Sequence, residues 1–127
     1  MEFLDNQAIY LQIVEWICER VVAGVWTPGE KLPSVRELAV ELEVNPNTVA
    51  RAYEYSQNEG FLVTRRGIGQ YLTDDAKSRC NAYLRRCFVE HEIPRVFRLV
   101  ELLSISREEW LMLYSTCKKT DKDEKKQ

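Results

Sequence analysis

Between Ser34 and Gly60 the chain carries two helix starts and two helix stops, with only three residues of turn between the helices. That spacing constrains the fold more than any other feature. Ser34 precedes an amphipathic run, and Glu37 lies three residues on; this is a capping box, in which each side chain takes the other residue's unpaired backbone N–H. Val35, Leu38, Ala39 and Leu42 recur at i, i+3, i+4 and i+7, so one face of this helix is apolar, and it should stop near Glu43. A second start follows. Asn45 is a good N-cap, Pro46 suits the first helical position because its missing N–H costs nothing there, and Gly60 can end the helix after Glu59 in a left-handed conformation. A turn this short forces the two helices to cross steeply, as in helix-turn-helix units.

The second helix has two unlike faces. Val49, Ala52 and Tyr53 continue the apolar stripe, whereas Asn47, Thr48 and Arg51 point elsewhere from the first two turns. Side chains at this end of such a helix reach base edges and phosphates: Asn can pair with adenine, Arg with guanine or a phosphate, and the helix N-terminus favours an anion. Phe61–Thr64 and Gln70–Thr73 then read as two short strands, joined by Arg65-Arg66-Gly67-Ile68-Gly69. Two glycines supply the positive φ angles of a tight tip, and two arginines there suit phosphate contact or entry into a minor groove.

The flanks are helical. Ala8–Ala23 places Ile9, Ile13, Ile17 and Val21 at i+4 spacing, with Gly24 as a stop and Trp26 expected to pack back on the helix. Pro28-Gly29 is a turn. Beyond the hairpin, Asp74 or Asp75 can cap a helix reaching about Glu92, with the stripe Cys80, Tyr83, Leu84, Cys87 and Phe88. Pro94 then fits the start of another helix, and Ser106 with Glu109 opens a third. Lys118–Gln127 reads as a solvated, disordered tail. The expected architecture is mostly α: three helices and a small antiparallel wing over residues 1–73, a short helical segment over 74–117, and the tail over 118–127. The helical segment is too short and too apolar to bury its own core, which points to packing against the winged domain and a second copy of itself.

Three blocks, P-G-x-K-L-P-S-x-R-x-L-A, V-N-x-N-T-V-x-R-A-Y and E-G-x-x-x-T-R-R-G-x-G, resemble the DNA-binding domain of GntR-type bacterial transcription regulators over residues 8–73. The short remainder is similar to that of the YtrA subfamily. The resemblance implies a winged helix-turn-helix homodimer on a palindromic operator in double-stranded DNA. Carried over position by position, the contacting group is Ser34 and Arg36, then Asn45, Asn47, Thr48 and Arg51, then Arg65, Arg66 and Gly67, with Lys31 a weaker phosphate candidate. The family usually has Leu at position 56. With Ser56 here, either Tyr53 or Tyr55 fills the space or the core is underpacked. The segment after the wing is much shorter than the effector domains of larger members, and any effector remains undefined.

Charge runs against the DNA reading. The net charge is −2, and residues 1–73 hold six Lys or Arg against ten Asp or Glu. Distribution has to compensate, with Arg36, Arg51, Arg65 and Arg66 on one face and Glu15, Glu19, Glu41 and Glu43 on others. Long-range steering should then be weak. The four cysteines form no C-x-x-C pair, and only His91 is present to join them, so neither zinc nor another cofactor is expected. Cys80 and Cys87 read as small buried hydrophobes, with a redox-responsive regulator built on them as an alternative. A winged helix used as a protein-interaction module is the other alternative. No nucleophile–base set or phosphate loop argues for an enzyme. No signal peptide or apolar membrane span is visible, so the expected location is the cytoplasm.

Overall fold

A computed structural model of the chain describes residues 1–4, 7–65, 67 and 69–125, with side chains through Thr120. In order, its elements are α1 (Ile9–Val22), α2 (Val35–Leu42), α3 (Pro46–Asn58), β1 (Leu62–Arg65), β2 (Gly69–Leu72), α4 (Ala76–Cys87), a π-helical stretch (Phe88–Glu92), α5 (Ile93–Leu102) and α6 (Arg107–Lys125). They form two compact units, one reaching to Arg86 and the other beginning at Cys87. The first unit therefore extends past Thr73, where the sequence suggested a boundary. The reason is packing: Ala76, Cys80 and Tyr83 of α4 are buried, and the Tyr83 ring meets Phe61 edge-on at 5.5 Å.

The core of this unit is built where the sequence periodicity put it, except that Ile9, the first member of the α1 stripe, is exposed. Ile13, Val14, Ile17, Cys18 and Val21 of α1 are buried together with Leu38, Ala39 and Leu42 of α2 and Val49, Ala52 and Tyr53 of α3. Each large apolar side chain removed from water contributes about 1.5–3 kcal/mol. Gly24 has a positive φ after α1, and Trp26 packs back edge-on against Trp16 at 5.6 Å, with the Arg20 guanidinium over both rings. At the other end of α1, the buried Gln12 amide exchanges two 2.7 Å hydrogen bonds with the backbone of Leu4, pinning the N-terminal arm.

Three residues separate α2 from α3. Glu43 takes the left-handed position that ends α2, at φ 56°, and the Val44 N–H returns to the Ala39 carbonyl. Tyr53 donates its hydroxyl to the Pro33 carbonyl at 2.6 Å, tying α3 to the loop that leads into α2. Ser56 is fully buried, and its hydroxyl donates to the Ala52 carbonyl one turn back, which satisfies the polar group at the position the family fills with Leu. Tyr55 is half-buried and meets Tyr10 and Tyr83 edge-on.

The hairpin is shifted by one residue from expectation, with Leu62 opposite Leu72 and Arg65 opposite Gly69. It also gains a neighbour absent from the sequence reading. Lys31 bridges Tyr71, the Leu32 N–H donates to Gln70, the Leu72 N–H donates to Glu30, and the Gly29 N–H donates to Leu72. The segment before α2 thus covers the outer edge of β2.

In the second unit the expected helix to Glu92 does not stay α-helical. Ile93 N–H reaches the Phe88 carbonyl, five residues back, so the path widens into a π turn just before Pro94. Pro94, which has no N–H to give, therefore follows without a break in the path. The expected buried stripe is only partly realised, since Cys80 and Tyr83 are buried, Leu84 and Cys87 half-buried and Phe88 exposed. Ser106 caps α6 by accepting the Glu109 N–H at 3.1 Å, and the Phe97 and Trp110 rings meet at 6.5 Å. Helix α6 runs on to Lys125, through most of the segment read as a disordered tail from Lys118. Lys and Glu are good helix formers, so a polar run continues a helix that is already nucleated. Among the described residues, no helix is long and apolar enough to cross a membrane.

Candidate nucleic-acid interface

The two helix starts place most of the expected side chains on the surface. Ser34 is the exposed N-cap of α2, and its Oγ accepts the Glu37 N–H at 3.1 Å, which leaves the hydroxyl hydrogen to donate outward. Arg36 follows in the first turn, exposed, and shares a shallow depression with Ala39, Val40, Val44 and Pro46. The first turn of α2 thereby comes beside the start of α3.

Asn45 caps α3. Its Oδ1 accepts the Asn47 N–H at 2.8 Å, and its carbonyl accepts the Thr48 N–H at 2.9 Å. These two N–H groups, which an anion would otherwise use, are engaged inside the turn. What remains for a phosphate here is the helix dipole and the exposed side-chain amides of Asn45 and Asn47. Thr48 is half-buried, which makes it the least available of the expected group.

Asn47, Arg51 and Glu54 recur at i, i+4 and i+7, exposed, on the side of α3 opposite the buried Val49, Ala52, Tyr53 and Ser56. Glu54 was not foreseen on this stripe, although its spacing from Asn47 was legible. A carboxylate there can accept from the amino group of cytosine and repels phosphate. The Arg51 guanidinium does not extend freely. Its central carbon lies 4.0 Å from the centroid of the Tyr10 ring on α1.

The wing carries the third group. Arg65 ends β1 and stacks over Tyr71 of β2 at 4.4 Å. Gly67 is exposed at φ 72°, and a side chain added there would meet nothing within 4 Å. Arg66 lies outside the described residues. Gly69, opposite Arg65, has φ 115°, and a Cβ there would come 3.2 Å from Lys31 Cε. Lys31 therefore lies across Gly69 beside Arg65, a juxtaposition that the weaker candidacy of Lys31 did not anticipate. One pair below the tip, the Gln57 amide of α3 and the Gln70 amide of β2 both donate to Thr64 Oγ1, at 2.6 and 2.9 Å. This clasp joins the end of α3 to both strands.

Cys80 is fully buried and Cys87 half-buried, and among the described residues no cluster of three or more His, Cys, Asp or Glu side chains is arranged to hold a metal ion.

Residues 9–72 match the model for bacterial regulatory proteins of the gntR family. Over 74 residues the chain is 47% identical to the HTH-type transcriptional repressor YtrA of Bacillus subtilis, an alignment covering 58% of this chain and 57% of that protein. Over 76 residues it is 43% identical to the uncharacterized HTH-type transcriptional regulator YhcF of the same organism, covering 60% of this chain and 63% of that one. The matched region thus spans about three-fifths of these curated relatives. Among solved structures, a GntR family transcriptional regulator from Listeria monocytogenes superposes with a TM-score of 0.73 at 37% identity, covering 90% of this chain and 98% of that one.

Proposed function

The chain belongs to the gntR family of bacterial regulatory proteins, and we propose that this transcriptional regulator is a repressor that binds a palindromic operator as a homodimer in the cytoplasm. The observation that carries the proposal is the outward stripe of α3, capped by Asn45 and flanked by Arg36 of α2 and the Arg65–Lys31 pair of the wing. Two such helices enter successive major grooves about 34 Å apart, and the wings reach flanking phosphates or the minor groove. Ser34, Arg36, Asn45, Asn47, Thr48, Arg51, Arg65, Arg66 and Gly67 make the contacts, with phosphates setting register and base edges setting sequence. The repressor reading rests on the likeness to YtrA, which is named as one.

The two-fold partner is supported by the apolar surface of the second unit. Phe97, Leu102, Leu103, Leu111, Met112 and Tyr114 are all more than half exposed. Exposed apolar area on this scale marks an interaction surface, and a palindromic site calls for a second copy.

The test is selection of the purified protein against random duplex DNA at a stated salt concentration. The expected result is an enriched palindrome with half-sites about ten base pairs apart. On that duplex, Arg36→Ala should weaken binding by about 1–3 kcal/mol without lowering the melting temperature. Unchanged affinity would remove Arg36 from the contact group.

One observation favours the second reading, a protein-interaction module. Val40 is 79% exposed in the apolar depression beside the start of α3, where a docking segment could seat. Failure of the selection to enrich any sequence, together with loss of a protein partner in Val40→Asp, would support that alternative.

A further inference from the structure

Arg51 reaches Tyr10 across the junction of α1 and α3, and the stack is more than incidental contact. Tyr10 is half-buried, and its ring meets Tyr55 edge-on, with centroids 6.1 Å apart and planes at 63°. Tyr55 meets Tyr83 at 6.1 Å, and Tyr83 meets the fully buried Phe61 at 5.5 Å. Tyr10 is therefore the outer end of a chain of edge-to-face rings rooted in the core, and such pairs hold their geometry. A platform anchored in this way has few orientations of its own.

The chemistry of the stack follows from the shape of the guanidinium. A guanidinium is flat, its five N–H donors lie in the plane around the rim, and a central carbon 4.0 Å from the ring centroid is close enough for its face to meet the ring. Stacking on Tyr10 uses the faces and leaves the donors available. It also restricts a long side chain that otherwise samples many rotamers. Binding to a phosphate or to a guanine edge then begins from a side chain already aimed. The wing repeats the arrangement, with Arg65 over Tyr71 at 4.4 Å.

We propose that Tyr10 is a positioning residue for DNA recognition: it holds the Arg51 guanidinium flat and edge-outward so that its donors meet the duplex already oriented. This rests on the reading of Arg51 as a DNA contact. The aromatic face carries the effect, and the Tyr10 hydroxyl does not.

The experiment uses the full chain and the palindromic duplex enriched by the selection above, with affinity measured for single and double variants. Tyr10→Phe should bind as the parent does. Tyr10→Leu should bind about tenfold more weakly, and the double variant Tyr10→Leu/Arg51→Ala should be no weaker than Arg51→Ala alone. Arg51→Lys, which keeps the charge but cannot lie flat on a ring, should also lose about tenfold and retain the parent's melting temperature. Because lysine also loses the bidentate fork, the informative outcome here is retained affinity, which would count against the stack even if Tyr10→Leu fails to fold. A Tyr10→Leu loss that adds in full to that of Arg51→Ala would mean a merely structural role and overturn the proposal. So would an Arg51→Lys variant that binds like the parent while Arg51→Ala does not. If Arg51→Ala itself binds like the parent, the contact assignment of Arg51 has failed, and the positioning role falls with it.

Discussion

Tyr53 donates its hydroxyl from the core to the Pro33 carbonyl, and burial, followed by the nearby Glu37 and Glu41 charges, pushes its ionisation well above the ordinary value of 10. In the unfolded chain the same hydroxyl ionises near 10. The folded state therefore holds this proton to higher pH, so the contribution is fully present below pH 10 and is lost as pH rises beyond it. Tyr53→Phe should lower stability by about 1 kcal/mol at neutral pH, from the lost hydrogen bond, and should soften the decline above pH 10. Urea unfolding at pH 7 and pH 11 checks both. The roles of Ser34 and Asn45 were legible because a cap is written within four residues of chain. The platform under Arg51 was not, because Tyr10 lies on another helix and no local pattern links the two. Likewise, nothing near Lys31 in the chain announces that its stem crosses Gly69, where a side chain would face both a left-handed φ and a 3.2 Å approach.

At the scale of elements, helices α1, α2 and α3 were legible from apolar periodicity, because each buries one stripe on its neighbours. The hairpin was legible to within one residue. The pairing of Lys31 with Tyr71 was hidden, since a single bridge carries no alternating pattern of its own. The π turn was hidden for a related reason: one extra residue in a helical turn leaves no mark on composition. The wing's contribution to binding is separable from that of α3. Arg65→Ala should reduce the slope of log affinity against log salt by about one unit, while leaving the ranking of operator variants unchanged. Titrations at several salt concentrations read the slope directly, and an altered ranking would mean that Arg65 reads bases.

At the scale of the whole molecule, the net negative charge is reconciled with DNA binding only in part. Arg36, Arg51 and Arg65 are all exposed, yet Glu54 shares the stripe of Arg51, so the chain offers a few separate cations and not a broad basic field. The apolar positions of α5 and α6 were legible in the sequence, and the exposure of Leu102, Leu111 and Met112 matches them; the length of α6 was not, because helix propensity carries it through a polar run to Lys125. Leu102 is 76% exposed, and Leu102→Glu should convert a dimer, twice 14.9 kDa by sedimentation, into a monomer that binds the palindrome at least tenfold more weakly. A variant that remains dimeric would place the interface elsewhere. The clasp of Gln57, Thr64 and Gln70, with the edge pairing at Lys31, has a consequence for how such a regulator can diversify. Both strands are secured, at Tyr71 and again at the Thr64–Gln70 pair, before the chain reaches the tip. Sequence change between Arg65 and Gly69 can then drift, lengthen or be exchanged between paralogues without renegotiating the core, so new operator preferences can arise by tinkering at the fingertip while the hand stays folded.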